Sequence, residues 1–339
     1  MKISLIIATR NRCQQLGRCL AHVERLHCEY DWELVIVDNG SSDGTAEVVQ
    51  KFAEQVDFDV KLVHEPRPGL GCAHNAGIAS ARGELVAFLD ADDVWFPKKL
   101  ELQVEALQAH PDAALCFTDF LEFDESGVTM PSRMNTRVNA RGWFERLQVG
   151  DTEIACGTMY KELLQANWIH TSSVLIRKAT LSEVGLFDGA FAMGEDYDLW
   201  LRIAKMYPVV CVNRVLSDYR YQAQSLCGPL KFRRLVHSRG IAQVLEKHLR
   251  AKSVPSALLD VAAEKVSQCY SVVGWSLFRQ NRLAEARSLF RQGLRYHPSD
   301  LLLWLYLCAS FLPLTIVEGI RRLRRWVSAL QGPAETAPH

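Results

Sequence analysis

Apolar and polar residues alternate in blocks along the first third of the chain, and the blocks predict strands followed by helices. Short runs of consecutive apolar residues are typical of strands that are buried on both faces. Such runs predict strands at residues 3–8, 34–37, 60–64, 85–89 and 114–117. The stretches between them predict helices at residues 16–26, from about 45, 72–81 and 95–110. This alternation predicts an α/β fold with right-handed crossovers and a doubly wound, mostly parallel sheet.

The pattern changes twice further along the chain. Residues 120–170 are less periodic and rich in short loops. The elements predicted after them are a strand, a helical turn and an amphipathic helix, at residues 173–177, 180–184 and 195–206. Beyond about residue 225 the pattern is almost entirely helical. We therefore expect an α/β domain over residues 1–225, a C-terminal α-helical extension over residues 226–330 and a disordered tail at 331–339.

Polar side chains follow three of the predicted strands. Thr9 comes after the first strand, Asp38 after the second and Asp90 after the fourth. Ligands of doubly wound sheets bind at the carboxyl ends of the strands, so these side chains are expected to line one cleft. Asp90 and Asp92 form an Asp-x-Asp pattern, and such hard oxygen ligands suit Mg²⁺ or Mn²⁺. An acidic triplet that caps a helix is the alternative interpretation.

A second acidic pair, Glu195 and Asp196, stands at the start of the predicted helix 195–206. The pair could cap the helix N-terminus, or it could supply a general base that removes a proton from an acceptor hydroxyl. Asp198 and Arg202 are four residues apart on one face of that helix. They are therefore expected to pair with each other.

Charge and cysteine usage narrow the class of function. Lys plus Arg and Asp plus Glu both number 39, so the chain has no overall basic field of the kind that binds nucleic acid. The ten cysteines are scattered without Cys-x-x-Cys spacing, which is typical of reduced thiols in a cytoplasmic protein. The apolar stretch at the N-terminus is too short for a signal peptide and fits a strand better. We therefore expect a cytoplasmic location.

The C-terminal region has two distinct features. Residues 267–298 resemble one tetratricopeptide repeat and predict a helical hairpin. The small, large and closing residues of that pattern are Gly274, Ala286, Phe290, Gly293 and Pro298. Residues 301–317 form the most apolar run and precede a basic stretch at 320–326, so residues 301–326 are a candidate membrane-surface segment. Burial of this segment within the protein and a true membrane span are the alternatives.

Four segments together carry a resemblance to a known family. These segments are residues 7–12, 37–45, 69–93 and 193–202. In their order and spacing they resemble the inverting glycosyltransferases of family 2, which have the GT-A fold, and the resemblance covers residues 1–225. It implies that the nucleotide-sugar-binding residues include Thr9, Asp38, Asp90 and Asn75, with Asp38 on the base and Asp90 near the ribose. It also implies that Asp92 is the metal ligand and Asp196 the catalytic base.

The implied reaction is a single displacement that inverts the anomeric carbon. A sugar would move from a nucleotide-diphospho-sugar donor to a hydroxyl of a glycan or lipid-linked acceptor, with Mg²⁺ or Mn²⁺, at the inner face of the cytoplasmic membrane. A sugar nucleotidyltransferase is an alternative, but it would need a Gly-rich basic loop after the first strand, and residues 8–11 contain no glycine. A non-catalytic binding module is the other alternative.

The sequence departs from the family pattern at four positions. Arg10 stands where an aromatic residue commonly follows Thr9, and Asn39 replaces a frequent second aspartate. His74 replaces a common arginine, and Gln222 occupies the position of a histidine. These changes concern contacts to the donor and leave the predicted metal ligand and catalytic base intact.

Overall fold

The computed structural model describes residues 2–26, 28–124, 127–134, 138–147, 153–220 and 230–312. The chain divides into two compact units, Met1–Gln222 and Ala223–His339. The domain boundary predicted at residue 225 lies outside the described residues, as do Gln222 and the predicted tail at residues 331–339.

The first unit is an α/β unit built around one sheet. Its strands are β1 (Ile3–Thr9), β2 (Trp32–Asp38), β3 (Val60–His64), β4 (Leu85–Phe88), β5 (Val94–Trp95), β6 (Leu115–Asp124), β7 (Gly127–Met130), β8 (Ile154–Gly157), β9 (Val174–Arg177) and β10 (Val209–Arg220). Its helices are α1 (Cys13–Val23), α2 (Thr45–Ala53), α3 (Leu70–Ser80), α4 (Lys99–Ala109), α5 (Val138–Arg146), α6 (Tyr160–Gln165), α7 (Lys178–Val184) and α8 (Glu195–Met206). The predicted α/β fold class is confirmed.

The sheet has a parallel half and a mixed half. Its strand order is β3-β2-β1-β4-β9-β6-β10-β5, with β7 paired to β6 and β8 paired to β10. The first four strands of that order are parallel, as predicted. β9 then runs antiparallel to both of its neighbours, β4 and β6. The sequence pattern predicted β9 as a strand but contained no information on its direction.

Two predicted helices begin three or more residues from their predicted starts. The helix predicted at 95–110 begins at Lys99, because Trp95 pairs with Ser217 in the sheet and Pro97 keeps Phe96 out of the helical region. The helix predicted at 16–26 is α1, which begins at Cys13.

Glycine at position 77 lets α3 lie directly on the parallel half of the sheet. A Cβ atom at Gly77 would stand 2.5 Å from Cγ2 of Ile6 in β1 and 3.2 Å from Cγ2 of Val37 in β2. Glycine in a helix interior costs about 1 kcal/mol relative to alanine. Here it permits α3 to pack closely against β1 and β2.

A buried lysine lies beneath the mixed half of the sheet. The Lys99 ammonium donates to Oε1 of Gln103 at 2.7 Å and lies 3.9 Å from the centre of the Trp95 ring. Gln103 donates to the carbonyl oxygens of Cys116 and Ser173. Burial lowers the pKa of Lys99 to about 7. This lysine therefore belongs to a polar network that holds the backbone preceding β9.

The charge of Lys99 makes the stability of the first unit depend on pH. Its pKa is about 7 when folded and about 10.4 in an unfolded chain. Between these values the unfolded state binds more protons, so the free energy of unfolding rises with pH. From pH 7 to 9 we expect wild type to gain about 2 kcal/mol relative to Lys99→Met in denaturant unfolding. Lys98→Met, which removes an exposed lysine, should show no such trend, and a flat difference for Lys99→Met would contradict the assignment.

The second unit consists of helices over its described residues. They are α9 (Leu230–Arg250), α10 (Leu259–Arg279), α11 (Leu283–Tyr296) and α12 (Leu301–Ala309). The hairpin predicted at residues 267–298 is formed by α10 and α11, although α10 begins earlier. A Cβ atom at Gly274 would stand 2.6 Å from the Phe290 ring, so the small residue allows the two helices to touch.

α12 packs against the hairpin with only one of its faces. Leu303, Tyr306 and Leu307 are buried in an apolar cluster with residues of α10 and α11. Leu301 and Leu305, on the opposite face, are 82% and 61% exposed. Within the described ranges, no helix is both long enough and apolar enough to cross a bilayer. Residues 313–326 of the predicted membrane-surface segment lie outside those ranges.

Candidate functional site

The carboxyl ends of β1 and β2 bring Thr9 and Asp38 side by side. The two residues are register partners in the parallel pair. Asp38 accepts a hydrogen bond from the backbone N–H of Ser41 at 2.8 Å. Thr9 is 4% exposed, and its hydroxyl oxygen has no hydrogen-bond partner among the described residues. A buried polar atom without a partner is unusual in a folded protein, and a bound ligand would satisfy it.

The loops that follow β1 and β2 are joined by hydrogen bonds. The Asn11 side-chain oxygen accepts from the backbone of Ser42, and the Asn11 backbone donates to Oγ of Ser41. The Cys13 backbone donates to Asp43 at 3.0 Å, which satisfies the first N–H of α1 and explains why that helix begins three residues before its predicted start.

A cluster of four aspartates, Asp90, Asp92, Asp93 and Asp196, lies at the same edge of the sheet, and we call it the carboxylate cluster. Asp92 accepts a hydrogen bond from Nη1 of Arg12 at 2.6 Å. The backbone N–H of Asp90 donates to Oγ of Ser172 at 3.0 Å. Asp90 is partly exposed, whereas Asp93 is buried.

The Asp93 side chain makes three hydrogen bonds. One of its oxygens lies 2.6 Å from Nε2 of His170 and accepts from the Ser172 hydroxyl at 2.6 Å. The other accepts from the backbone N–H of Arg220 at 3.3 Å. Asp93 therefore ties the loop after β4 to β10 and to the turn at Thr171–Ser173.

Asp196 enters the cluster from the first turn of α8. One of its oxygens accepts from the backbone N–H of Tyr197, and the other lies 3.4 Å from the Thr171 hydroxyl. The predicted pairing of Asp198 with Arg202 is confirmed, with Nε of Arg202 at 3.0 Å from the carboxylate. Asp198 is thus engaged within the helix, while Asp196 faces the cluster.

His170 is one of the residues of this site that the sequence did not predict. Its ring lies between those of Phe120 and Tyr219, with centroids 5.2 and 4.7 Å away. Burial lowers its pKa, but the carboxylates of Asp93 and Asp90 outweigh this effect and the net shift is upward. A lone histidine in the aperiodic stretch 120–170 gave no signal, because only the folded chain brings it to Asp93.

The carboxylates raise one another's pKa values. Burial, followed by the charge of Asp93, raises the pKa of Asp90 to about 7. Burial also raises the pKa of Asp92 and of Asp196. Burial and the charge of Asp196 raise the pKa of Glu195 to about 8. Buried oxygens that repel one another offer a favourable place for a cation, so the cluster fits a hard divalent ion.

Such an ion could be held by a set that includes Asp93 or by the predicted ligand Asp92. One ligand atom from each of Asp90, Asp93 and His170 lies within 4.8 Å of the others. In this set, however, Asp93 and His170 are already bonded to each other. The predicted ligand Asp92 is not in the set and carries the Arg12 guanidinium instead. The geometry therefore establishes a candidate metal site without choosing between Asp92 and Asp93.

Three residues of the predicted motifs are engaged in contacts within the protein itself. The Asn75 amide bonds both backbone groups of Phe187, at 2.8 and 3.0 Å, so its assignment to the nucleotide sugar stays a prediction. The Asn39 amide donates to the carbonyls of Glu65 and Arg67, which an aspartate could not do. His74 is buried against aromatic rings, and burial lowers its pKa to about 3, so it is uncharged at neutral pH.

The loss of one Asp93 carboxylate oxygen should destabilise the protein more than the same change at Asp92. In Asp93→Asn, an amide would face His170 or Arg220 in a buried site, at a cost of about 3 kcal/mol in free energy of unfolding. Asp92→Asn breaks a partly exposed ion pair and should cost less than about 1 kcal/mol. Urea unfolding of both variants measures the difference, and equal losses would show that Asp93 is not the anchor.

Comparison with solved structures identifies the class of this fold. The S. aureus protein TarS, residues 1–349, solved in complex with UDP, aligns with a TM-score of 0.60 and 18% identity, over 98% of this chain and 92% of that one. The mannosyltransferase PcManGT from Pyrobaculum calidifontis, solved with GDP-Man and Mn²⁺, aligns with a TM-score of 0.58 and 19% identity, over 91% of this chain and 85% of that one. The predicted GT-A fold is confirmed.

Sequence comparison shows what the chain is similar to. Residues 4–165 match the model of the family described as glycosyl transferase family 2. An uncharacterized glycosyltransferase of Nostoc sp. is 45% identical over 108 residues, which are 32% of this chain and 33% of the relative. The amylovoran biosynthesis glycosyltransferase AmsE of Erwinia amylovora is 26% identical over 219 residues, 64% of this chain and 75% of the relative. The chain spans about a third of the length of the first relatives it matches.

Proposed function

We propose that the protein is an inverting glycosyltransferase that moves a sugar from a nucleotide-diphospho-sugar to an acceptor hydroxyl in the synthesis of a cell-surface polysaccharide or lipid-linked glycan. The observation that carries the proposal is the carboxylate cluster at the carboxyl edge of a family 2 domain. The relative AmsE is named for the biosynthesis of a polysaccharide, amylovoran, which supports this class of product.

The donor would lie along the edge of the sheet from β2 to β4. Asp38 would bind the nucleotide base together with Thr9, which is its register partner and has an unpartnered hydroxyl, and Asp90 would contact the ribose. Asp92 would hold Mg²⁺ or Mn²⁺, a choice favoured by the hydrogen bonds that already engage Asp93 with His170, Ser172 and Arg220. When bound, the cation would stabilise the charge of the departing diphosphate.

Asp196 would act as the general base. Its carboxylate takes the proton of the acceptor hydroxyl as that oxygen attacks the anomeric carbon. The bond from that carbon to the diphosphate oxygen breaks at the opposite face, and the configuration inverts. Burial raises the pKa of Asp196, which brings its proton affinity closer to that of the hydroxyl and favours the transfer.

Thermal unfolding with UDP, GDP, dTDP and CMP, each with and without Mn²⁺, tests the donor site. A ligand at 100 times its dissociation constant adds about 2.7 kcal/mol, which raises the midpoint by roughly 5 °C or more. We expect one nucleotide to give a Mn²⁺-dependent shift in wild type that disappears in Asp92→Asn. The absence of a shift with every nucleotide would contradict the proposal.

Turnover separates an enzyme from a binding module. Asp196→Asn should keep the Mn²⁺-dependent nucleotide shift but release nucleoside diphosphate from the matching sugar nucleotide at least about 100-fold more slowly. Nucleotide binding by wild type with no release in the presence of any acceptor tested would favour the non-catalytic alternative.

We also propose that the second unit contacts the inner face of the cytoplasmic membrane. Leu301, Trp304 and Leu305 present an exposed apolar face, and the Arg287 guanidinium lies 4.7 Å from the exposed Phe311 ring. Apolar side chains beside cations match the interface of an anionic bilayer. The nine cysteines of the described residues are free thiols, in keeping with a reducing compartment.

Vesicle sedimentation of the full chain tests this contact. Wild type should bind phosphatidylglycerol vesicles more strongly than phosphatidylcholine vesicles, and Leu301→Gln with Leu305→Gln should weaken binding about tenfold or more. Val128→Gln changes an exposed apolar residue of the first unit and serves as the control. Unchanged vesicle binding, together with a lower midpoint of thermal unfolding, would show that this face is covered by the chain itself.

A further inference from the structure

Arg12 forms an ion pair with the residue that we assign to the cation. Nη1 of Arg12 donates to Oδ2 of Asp92 at 2.6 Å, and the two side chains are only 22% and 13% exposed. A guanidinium and a divalent cation both require that carboxylate, and their positive charges repel each other. A cation that binds Asp92 must therefore displace Arg12 or share the carboxylate with it at an electrostatic cost.

The backbone on both sides of Arg12 is held in place. Asn11 adopts a left-handed conformation with φ of 51° and exchanges hydrogen bonds with Ser41 and Ser42. Cys13, on the other side, donates to Asp43, and the Arg12 carbonyl accepts from Leu16 in the first turn of α1. Displacement of the guanidinium is therefore a rotation of the side chain about a fixed Cα atom.

The position of Arg12 limits where the displaced guanidinium can go. It follows β1, which lies between β2, whose last residue is Asp38, and β4, which precedes the loop with Asp92. A donor with its base at Asp38 and its cation at Asp92 places its diphosphate across the interval between these two residues. The planar guanidinium of arginine binds phosphate oxygens with paired hydrogen bonds, so the diphosphate is the anion that suits it.

We propose that Arg12 is an exchangeable counter-ion: it neutralises Asp92 in the free protein and moves to the donor diphosphate when a divalent cation takes Asp92. The inference rests on the proposed function, because it takes Asp92 as the cation ligand. It has a thermodynamic consequence. The cation displaces Arg12 from Asp92, and the nucleotide supplies a diphosphate that binds the displaced guanidinium. Each ligand therefore favours the binding of the other, and Arg12 is a source of that coupling.

Mn²⁺ titration of the free protein, followed by electron paramagnetic resonance, tests the first half of the exchange without any donor. Removal of the competing guanidinium in Arg12→Met should tighten the binding of Mn²⁺ alone by about tenfold. Arg10→Met removes an exposed neighbouring arginine and should leave Mn²⁺ affinity unchanged. Arg12→Lys, which keeps the charge, should resemble wild type more closely than Arg12→Met does.

The nucleotide titration tests the second half. At saturating Mn²⁺, Arg12→Met should bind the nucleoside diphosphate about tenfold more weakly than wild type, and the enhancement of nucleotide affinity by Mn²⁺ should shrink. Tighter Mn²⁺ binding and weaker nucleotide binding in the same variant are the expected pair of results. A variant that merely disturbed the fold would lose affinity for both.

Two failures can be told apart with Asp92→Asn. Mn²⁺ binding that is lost in Asp92→Asn but is no tighter in Arg12→Met would overturn the exchange while leaving the cation site in place. Mn²⁺ binding that survives in Asp92→Asn would overturn both the exchange and the assignment of Asp92. Unchanged nucleotide affinity in Arg12→Met would also contradict the exchange, because Arg12 would then have no contact with the diphosphate.

Discussion

The site depends on one buried carboxylate that joins three separate parts of the chain. Asp93 follows β4, the last strand of the parallel half, and accepts hydrogen bonds from the Thr171–Ser173 turn and from the β10 backbone, with His170 at hydrogen-bond distance. A buried charge without partners would cost several kcal/mol, so the loop after β4 has one strongly preferred position. The positions of Asp90 and Asp92, which lie in that loop, follow from it.

The turn at Thr171–Ser173 transmits this constraint to the other elements. Ser172 bonds both Asp93 and the Asp90 backbone, and Thr171 lies within reach of Asp196 on α8. From beneath, the Trp95 indole donates to the Ser172 carbonyl, and Gln103 donates to that of Ser173. A polar network whose groups are hydrogen-bonded is rigid. The residues proposed to bind the sugar donor and the acceptor hydroxyl are therefore held by the same turn.

The sequence pattern predicted the features that depend on local structure, which are the strands of the parallel half and the polar residues that follow them. The strands β1, β2 and β4 are continuous apolar runs, and the rule that ligands bind at carboxyl ends selected Thr9, Asp38 and Asp90 before any geometry was known. His170 could not be found in this way, because its position beside Asp93 depends on the antiparallel insertion of β9, a pairing between distant segments. The start of α4 was misplaced for a related reason, since Trp95 belongs to a strand through its partner Ser217.

Two departures from the family pattern are explained by contacts that only the folded chain makes. Asn39 and His74 looked like lost contacts to the sugar donor, but in the folded chain Asn39 donates to two carbonyls and His74 packs in an aromatic core.

The charges of the carboxylate cluster destabilise the free protein, whereas the contacts of Asn39 and His74 stabilise it. The pKa of Asp90 is raised to about 7, above its unfolded value of about 3.9. The folded state therefore binds more protons, and stability is lost as pH rises through this window. A cation that binds only the folded state would offset that loss, so the repulsion that weakens the empty site is also what favours its ligand.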